Sequence, residues 1–171
     1  TDNCPGFGSV AKYIAISTYE ASLDVASMAN SSTKVFLLEV MGRHAGWLAA
    51  SAGVIRDNIS MPPHLILLPE VIFNEKKFLL KVKKTVKEYG YCVVVASEGI
   101  KNKNNKFIAA SSTKDSFGHA HLGGVAPKLA NIITTKLSYK VHWAVSDYLQ
   151  RAARHIGSSV DVKQAYMAVS Y

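Results

Sequence analysis

Three short runs of almost unbroken apolar residues, Val35–Val40, 65–68 and 91–96, set the strongest limit on how this chain can fold. A strand with one wet face alternates apolar and polar residues. A run without alternation belongs to a strand covered on both sides, the condition found in a parallel sheet with helices above and below it. Between the runs lie segments of helical spacing. In 9–30, Val10, Ile14, Ala21, Val25 and Met28 recur near a 3.6-residue period behind Ser9, which is placed to cap a helix. Residues 45–55 read as a short, nearly all-apolar helix, and 74–89 as a basic amphipathic one that carries Phe78, Leu79, Val82 and Val86 on one side and ends at Gly90. The alternation predicts an α/β three-layer sandwich with a mostly parallel sheet and right-handed crossovers, its ligands gathered at the carboxyl ends of the strands. Beyond it, 101–119 reads as a long polar loop, and 127–137, 141–156 and 161–169 as helices, Asp161 lying in the first turn of the last.

A chain of 171 residues that is 49% apolar suits about one domain with a real core. Lys and Arg number 20 against 12 Asp and Glu, a formal charge of +8, so the surface attracts anions such as phosphate esters or nucleic acid. The runs Lys81, Lys83, Lys84, Lys87 and Lys101, Lys103, Lys106 supply much of the excess and read as solvated helix and loop faces. Cys4 and Cys92 form neither a disulfide framework nor a metal cluster, which fits a reducing cytoplasm. No apolar run approaches the roughly 20 residues that span a bilayer, and neither a membrane segment nor a signal peptide is expected. The chain opens on Thr1 rather than Met, so a processed or excised piece of a longer polypeptide is expected.

The segment 39–47, Glu-Val-Met-Gly-Arg-His-Ala-Gly-Trp, puts a glycine and an arginine at a strand end just before a helix. Gly42 permits close backbone approach, the free N–H groups of the helix favour negative charge, and Arg43 offers a planar fork of donors to phosphate oxygens. The alternative is that Arg43 pairs with Glu39 or another surface carboxylate. Glu98 follows the next strand in the same manner and should emerge on the same edge, either to accept sugar hydroxyls or as a turn residue before Gly99. Tyr148 and Arg151, three apart in an expected helix, suit a phosphate or an exposed helix face, and Arg154 and His155 continue the polar character. His119 and His121, beside Gly123 and Gly124, could pair on a metal, but no third ligand is at hand and no metal site is expected. A Walker-type loop, a serine-hydrolase elbow and zinc-ligand spacing are all absent from the sequence.

Five segments, TDNCPGFGSVAKYIA, KVFLLEVMGRHAGWLAA, VVVASEG, LGGVAP and HWAVSDYLQRAARHI, occur in an order that resembles the phosphofructokinase family over nearly the whole chain, most closely its pyrophosphate-dependent branch. The resemblance implies phosphoryl transfer from pyrophosphate, or ATP, to the 1-hydroxyl of fructose 6-phosphate in glycolysis, with Mg²⁺ neutralising the donor. It implies that Met41, Gly42 and Arg43 bind the sugar, that Arg43 stabilises charge on the transferring group, and that Glu98 binds sugar hydroxyls. Tyr148 and Arg151 would hold the 6-phosphate. Lys34 stands where the family often has an arginine that reaches a neighbouring subunit's substrate, so a homodimer or homotetramer is implied; Lys keeps the charge without the bidentate fork.

Two departures from the pattern follow. The family's Gly-Gly-Asp-Gly-Ser donor and metal loop, and its T-x-D-N-D segment with the catalytic base, are expected upstream of Thr1, so residues 1–171 alone should be inactive. Leu122 stands where many ATP-dependent relatives have an arginine, as in the pyrophosphate branch. On this reading 1–150 form the fructose-phosphate-binding α/β domain and 151–171 are helices returning toward the donor-binding domain. The alternative is a noncatalytic basic α/β module for nucleic acid or other polyanions. That would call for a basic stripe with stacking aromatics, which the Lys runs lack, so neither nucleic acid nor membrane is expected as a partner.

Overall fold

The computed structural model describes residues 4–114 and 120–170. In chain order the elements are α1 (Phe7–Met28), β1 (Val35–Val40), α2 (Trp47–Ser51) running into a 3₁₀ turn (Ala52–Ile55), β2 (Leu65–Leu67), α3 (Glu75–Tyr89) and β3 (Cys92–Ser97). Then come β4 (Ala110–Lys114), β5 (Ala120–Leu122), α4 (Val125–Leu137), β6 (Val141–Val145), α5 (Leu149–Ala152), a 3₁₀ turn (Arg154–Ile156) and α6 (Ser159–Val169). Four strands form one sheet in the order β2-β3-β1-β6, and every pairing is parallel. In the middle of β1, Leu37 lies opposite Val94 on one side and Trp143 on the other.

Alternate residues of the apolar runs serve opposite layers, which is why the runs show no polar phase. Val35 and Leu37 of β1, with Cys92, Val94 and Ala96 of β3, meet Phe78, Val82 and Val86 of α3 and Leu129 and Ile133 of α4. Leu38, Val40 and Val95 turn the other way, onto Ile14 of α1 and Ala49 and Ala52 of the α2 segment. The three-layer sandwich with a mostly parallel sheet is therefore the observed fold. At roughly 1.5–3 kcal/mol for each fully buried Val or Leu, β1 and β3 together outweigh any single polar contact at the sheet's rim. Helix α3 begins and ends as its sequence requires: the Asn74 side chain accepts from the Lys77 N–H at 3.0 Å, and Gly90 closes the helix at φ +86°.

Three expectations fail. Residues 141–156 are not one helix but strand β6, a turn, α5 and a 3₁₀ turn. Val141, Ala144, Val145, Tyr148, Leu149 and Ala152 happen to recur at helical spacing, and β6 is an edge strand whose His142, Trp143 and Val145 are exposed, so no buried-strand signal marks it. The expected loop 101–119 contains β4, which pairs antiparallel with β5; its sequence, Ala-Ser-Ser-Thr-Lys, has no apolar phase to read. Ser9 does not cap α1, which starts at Phe7.

Ser9 instead joins the two ends of the chain. Its N–H and its hydroxyl both donate to Asp161 Oδ2 at 2.6 Å, and the Ser158 N–H donates to Ser9 Oγ at 2.9 Å. A carboxylate in the first turn of α6 thus satisfies donors in the first turn of α1. This polar clasp matters because α6 buries none of its residues, and Val160, Val162, Tyr166, Met167 and Val169 are exposed.

The Ser9 hydroxyl, followed by the neighbouring backbone amides, holds the Asp161 carboxyl below its usual range. A depressed carboxyl contributes stability above its unfolded pKa and loses it as pH falls through the folded value. Asp161→Ala should cost roughly 1 kcal/mol at neutral pH, the scale of a lost helix cap. The deficit should shrink on acidification below the aspartate range, as followed by urea unfolding of both proteins at each pH; a deficit that does not change with pH would contradict the clasp.

Candidate functional site

The carboxyl ends of β3, β1 and β6 lie side by side, and the register fixes what leaves them. Val40 pairs with Ser97, and Glu39 pairs with Val145. Beyond these pairs come Met41-Gly42-Arg43 from β1, Glu98-Gly99 from β3, and Ser146 through Arg151 from β6. After β1 the chain passes to α2 on one face of the sheet; after β3 it passes toward α4 on the other. Adjacent strands whose connections depart to opposite faces leave a crevice between their ends, where open α/β sheets bind ligands.

The crevice backbone is fixed by side chains from its neighbours. The Gly42 N–H donates to Glu98 Oε1 at 3.2 Å, the Met41 N–H to Gln150 Oε1 at 3.3 Å, and the Ser97 hydroxyl to the Gly42 carbonyl. Gly42 sits at φ +140°, and a Cβ there would come within 2.8 Å of the Ala45 carbonyl oxygen. Gly99 is more confined still, since its Cβ would lie 2.1 Å from the Arg43 carbonyl oxygen. The β1 and β3 turns are therefore packed backbone to backbone, and only glycine fits at their contact.

Around this frame Arg43 and Glu98 are half-buried, and Tyr148 and Arg151 are exposed. The Arg151 guanidinium lies over the Tyr148 ring, 5.6 Å from its centroid, so the expected pairing of phenol and cation is present, although Tyr148 precedes α5 rather than lying within it. Glu39, Met41, Glu98, Gly123, Asp147 and Gln150 line a recess of about 100 Å³ at the ends of β1, β3 and β6. It is too small to enclose a phosphosugar and forms the floor of an open site. A larger open trough of about 590 Å³, lined by Asn74, Lys76, Asn102, Lys103 and Lys128 among others, holds none of the residues that leave the strand ends.

Two sequence expectations about the anion site change. Glu39 does not serve as a salt-bridge partner for Arg43. It is 1% exposed, on the α4 side of β1, and its oxygens accept from the Gly124 N–H at 3.1 Å and the Ala126 N–H at 2.8 Å. Nor does α2 present an empty N-terminus, because the Gly46 N–H donates to Glu70 Oε1 at 2.7 Å. Arg43 and Arg151 are the cations that the turns after β1 and β6 bring to this edge. Lys34 lies apart: it precedes β1 at the opposite end of the sheet, about 20 Å along a six-residue strand, where its ammonium donates to the Ala29 carbonyl. His119 lies outside the described residues.

The family profile described as Phosphofructokinase matches residues 1–162. The chain belongs to the phosphofructokinase family. Within it, the chain is 58% identical over 166 residues to the pyrophosphate–fructose 6-phosphate 1-phosphotransferases of Halomonas elongata and of Methylococcus capsulatus, covering 97% of this chain and 40% of each relative. The crystal structure of the pyrophosphate-dependent phosphofructokinase of Marinobacter aquaeolei superposes with a TM-score of 0.82 at 57% identity, over 97% of this chain and 38% of that one. The chain thus spans about two fifths of the length of the curated relatives it matches.

From the sequence, Glu39 was only a possible partner of Arg43, and Gln150 was not singled out. A lone carboxylate inside an otherwise apolar strand, Glu39, was a signal that buried donors await it. Gln150, between Leu149 and Arg151 in a polar stretch, carried no such contrast.

Burial pushes the Glu39 carboxyl up, a shift opposed by the amides of Ala126 and Gly124, while the charge of Glu98 adds to it. A raised carboxyl contributes stability that is complete below its unfolded pKa and is lost as pH rises through the folded value. Glu39→Gln forfeits one of the two amide bonds, about 1 kcal/mol, but removes the buried charge. Relative to the parent, the variant should therefore gain stability as pH rises from the ordinary glutamate range to neutrality, read by urea unfolding; parallel pH curves would contradict this.

Proposed function

We propose that residues 1–171 form the acceptor side of a pyrophosphate-dependent phosphofructokinase, which transfers a phosphoryl group from pyrophosphate to the 1-hydroxyl of fructose 6-phosphate. The observation that carries this reading is the convergence of Arg43, Glu98 and the Tyr148–Arg151 pair at the ends of three adjacent parallel strands, around amides already held in place. A phosphosugar needs a cation at each place where phosphate charge sits and a carboxylate for its hydroxyls, and this edge offers that set in one row.

In this reading Met41 and Gly42 pack against the sugar, Glu98 accepts its hydroxyls, and Arg151 with Tyr148 holds the 6-phosphate. Arg43 faces the reacting end, where its guanidinium stabilises charge that spreads over the equatorial oxygens during in-line transfer. The donor is pyrophosphate rather than ATP by analogy with the 58% identical relatives. Residues 1–150 act as the sugar-phosphate-binding unit and 151–171 lead back toward the donor-binding part. Lys34, remote from its own chain's crevice, is assigned to the substrate of a neighbouring subunit in a homo-oligomer. Among the described residues no three His, Cys, Asp or Glu side chains converge on one point. No helix among them is long and apolar enough to cross a membrane.

Fructose 6-phosphate titrated calorimetrically into the intact polypeptide should bind saturably. Arg43→Ala should weaken that binding by about 1–3 kcal/mol, the scale of a charged hydrogen bond. Equal affinity of parent and variant would remove Arg43 from the site, and an absence of binding by the parent would refute the functional reading.

A further inference from the structure

The four-residue helix α5 buries one side chain, and that side chain is polar. Gln150 is 2% exposed, whereas Tyr148 and Leu149 are 69% and 64% exposed and Arg151 is exposed as well. A buried amide is unfavourable unless its donor and acceptor are both used, and a Leu or Met of similar size would fill the space without that requirement. Gln150 uses both ends. Its Oε1 accepts from the Met41 N–H at 3.3 Å, and its Nε2 donates to the Asp147 carbonyl at 2.9 Å. The first bond reaches the turn after β1 and the second holds the turn after β6, whose Asp147 sits at φ +37°. One planar amide therefore spans the two turns that carry, in the proposed function, the sugar-binding Met41–Arg43 segment and the phosphate-binding Tyr148–Arg151 pair.

We infer that Gln150 is a positioning residue that fixes the distance between the sugar end and the phosphate end of the acceptor site, so that a ligand which spans both ends binds to a preset frame. The inference rests on the functional reading above. Met41 and Gly42 are each tethered by their amides, Gly42 to Glu98 on the β3 side and Met41 to Gln150 on the β6 side. Glu98 is itself assigned to the ligand, so when it meets sugar hydroxyls the Gln150 bond is the tether that remains fully committed to the frame. Losing it frees the two turns to move apart. A ligand that touches both ends then has to hold them in place itself, whereas a ligand that touches only the phosphate end is indifferent.

The test compares two probes on the intact polypeptide. Gln150→Met should keep the fold, because it replaces the amide by an apolar side chain of similar length. It should weaken fructose 6-phosphate binding about tenfold, the scale of one or two lost neutral hydrogen bonds, while inorganic phosphate, followed by ³¹P NMR, changes less than about twofold. Parallel loss for both probes would assign Gln150 to general structural support, and no loss for either would remove it from the site; each result overturns the inference. A second variant decides the matter if Gln150→Met does not fold. Gln150→Glu keeps the acceptor for Met41 but, when ionised, faces the Asp147 carbonyl with a second acceptor, and protonation restores the donor. Its fructose 6-phosphate affinity relative to the parent should therefore recover as pH falls through the raised pKa of the buried carboxyl; a ratio that does not change with pH overturns the inference. Failure of the parent itself to bind fructose 6-phosphate would refute the functional reading, and the coupling with it, whereas a parent that binds beside an indifferent Gln150→Met refutes the coupling alone.

Discussion

Strand β1 has no solvent face and no free edge, and the rest of the structure is arranged around that constraint. Its odd-numbered residues pack into the α3/α4 layer and its even-numbered residues into the α1/α2 layer, while β3 and β6 take up its two hydrogen-bonding edges. Parallel neighbours in register must end together, so the three turns that follow are brought to one line without any contact among their side chains. The candidate edge is in this sense a product of the core: the pairing of Leu37 with Val94 and of Val40 with Ser97 brings Gly42 to Glu98.

The exception inside β1 is Glu39, whose register turns it into the α4 layer. A carboxylate there is tolerable only because two amides at the start of α4 point at it, and the first turn of a helix is where unsatisfied N–H groups are found. The Gly123-Gly124 turn has its position set by the same bonds. Charge, strand register and helix terminus account for one another, which is why the desolvation of Glu39 is partly offset rather than relieved by a cation.

How much of this the sequence disclosed follows from how each element is buried. The doubly covered strands β1 and β3 were legible because a parallel sheet leaves no polar phase, and α3 was legible because Asn74, its apolar stripe and Gly90 all agree. Strand β6 was misread because an edge strand with exposed residues loses the apolar density that marks its neighbours, and the short helix behind it supplied a false 3.6-residue period. Hairpin β4–β5 lies in a polar tract, where pairing depends on backbone bonds that leave no trace in residue type. The proposed ligand contacts Arg43, Glu98, Tyr148 and Arg151 come from motif resemblance and strand-end placement together. Gln150 was missed because burial of a single amide in a four-residue helix is a tertiary fact: its neighbours on both sides are exposed, and no local pattern distinguishes it from them.

The candidate site divides into a buried frame and an exposed set of proposed ligand contacts, and the division bears on how it would discriminate. Ser97, Gly99 and Gln150 are buried and bonded, so the Met41–Gly42 amides hold their places before any ligand arrives. Tyr148 and Arg151 are exposed, and ordering two such side chains on binding costs about 0.5–1.5 kcal/mol each. Their mutual stacking at 5.6 Å removes part of that cost in advance, since the guanidinium already lies over the ring. In the proposed function, an anion alone draws on this exposed pair and on the Arg43 guanidinium. A molecule that carries a phosphate at one end and hydroxyls at the other also meets, in the same proposal, Glu98, whose carboxylate is already tied to the Gly42 N–H. Under the proposed function, selectivity for a phosphosugar over free phosphate would follow from the contrast between the two parts, more than from the number of cations at the edge.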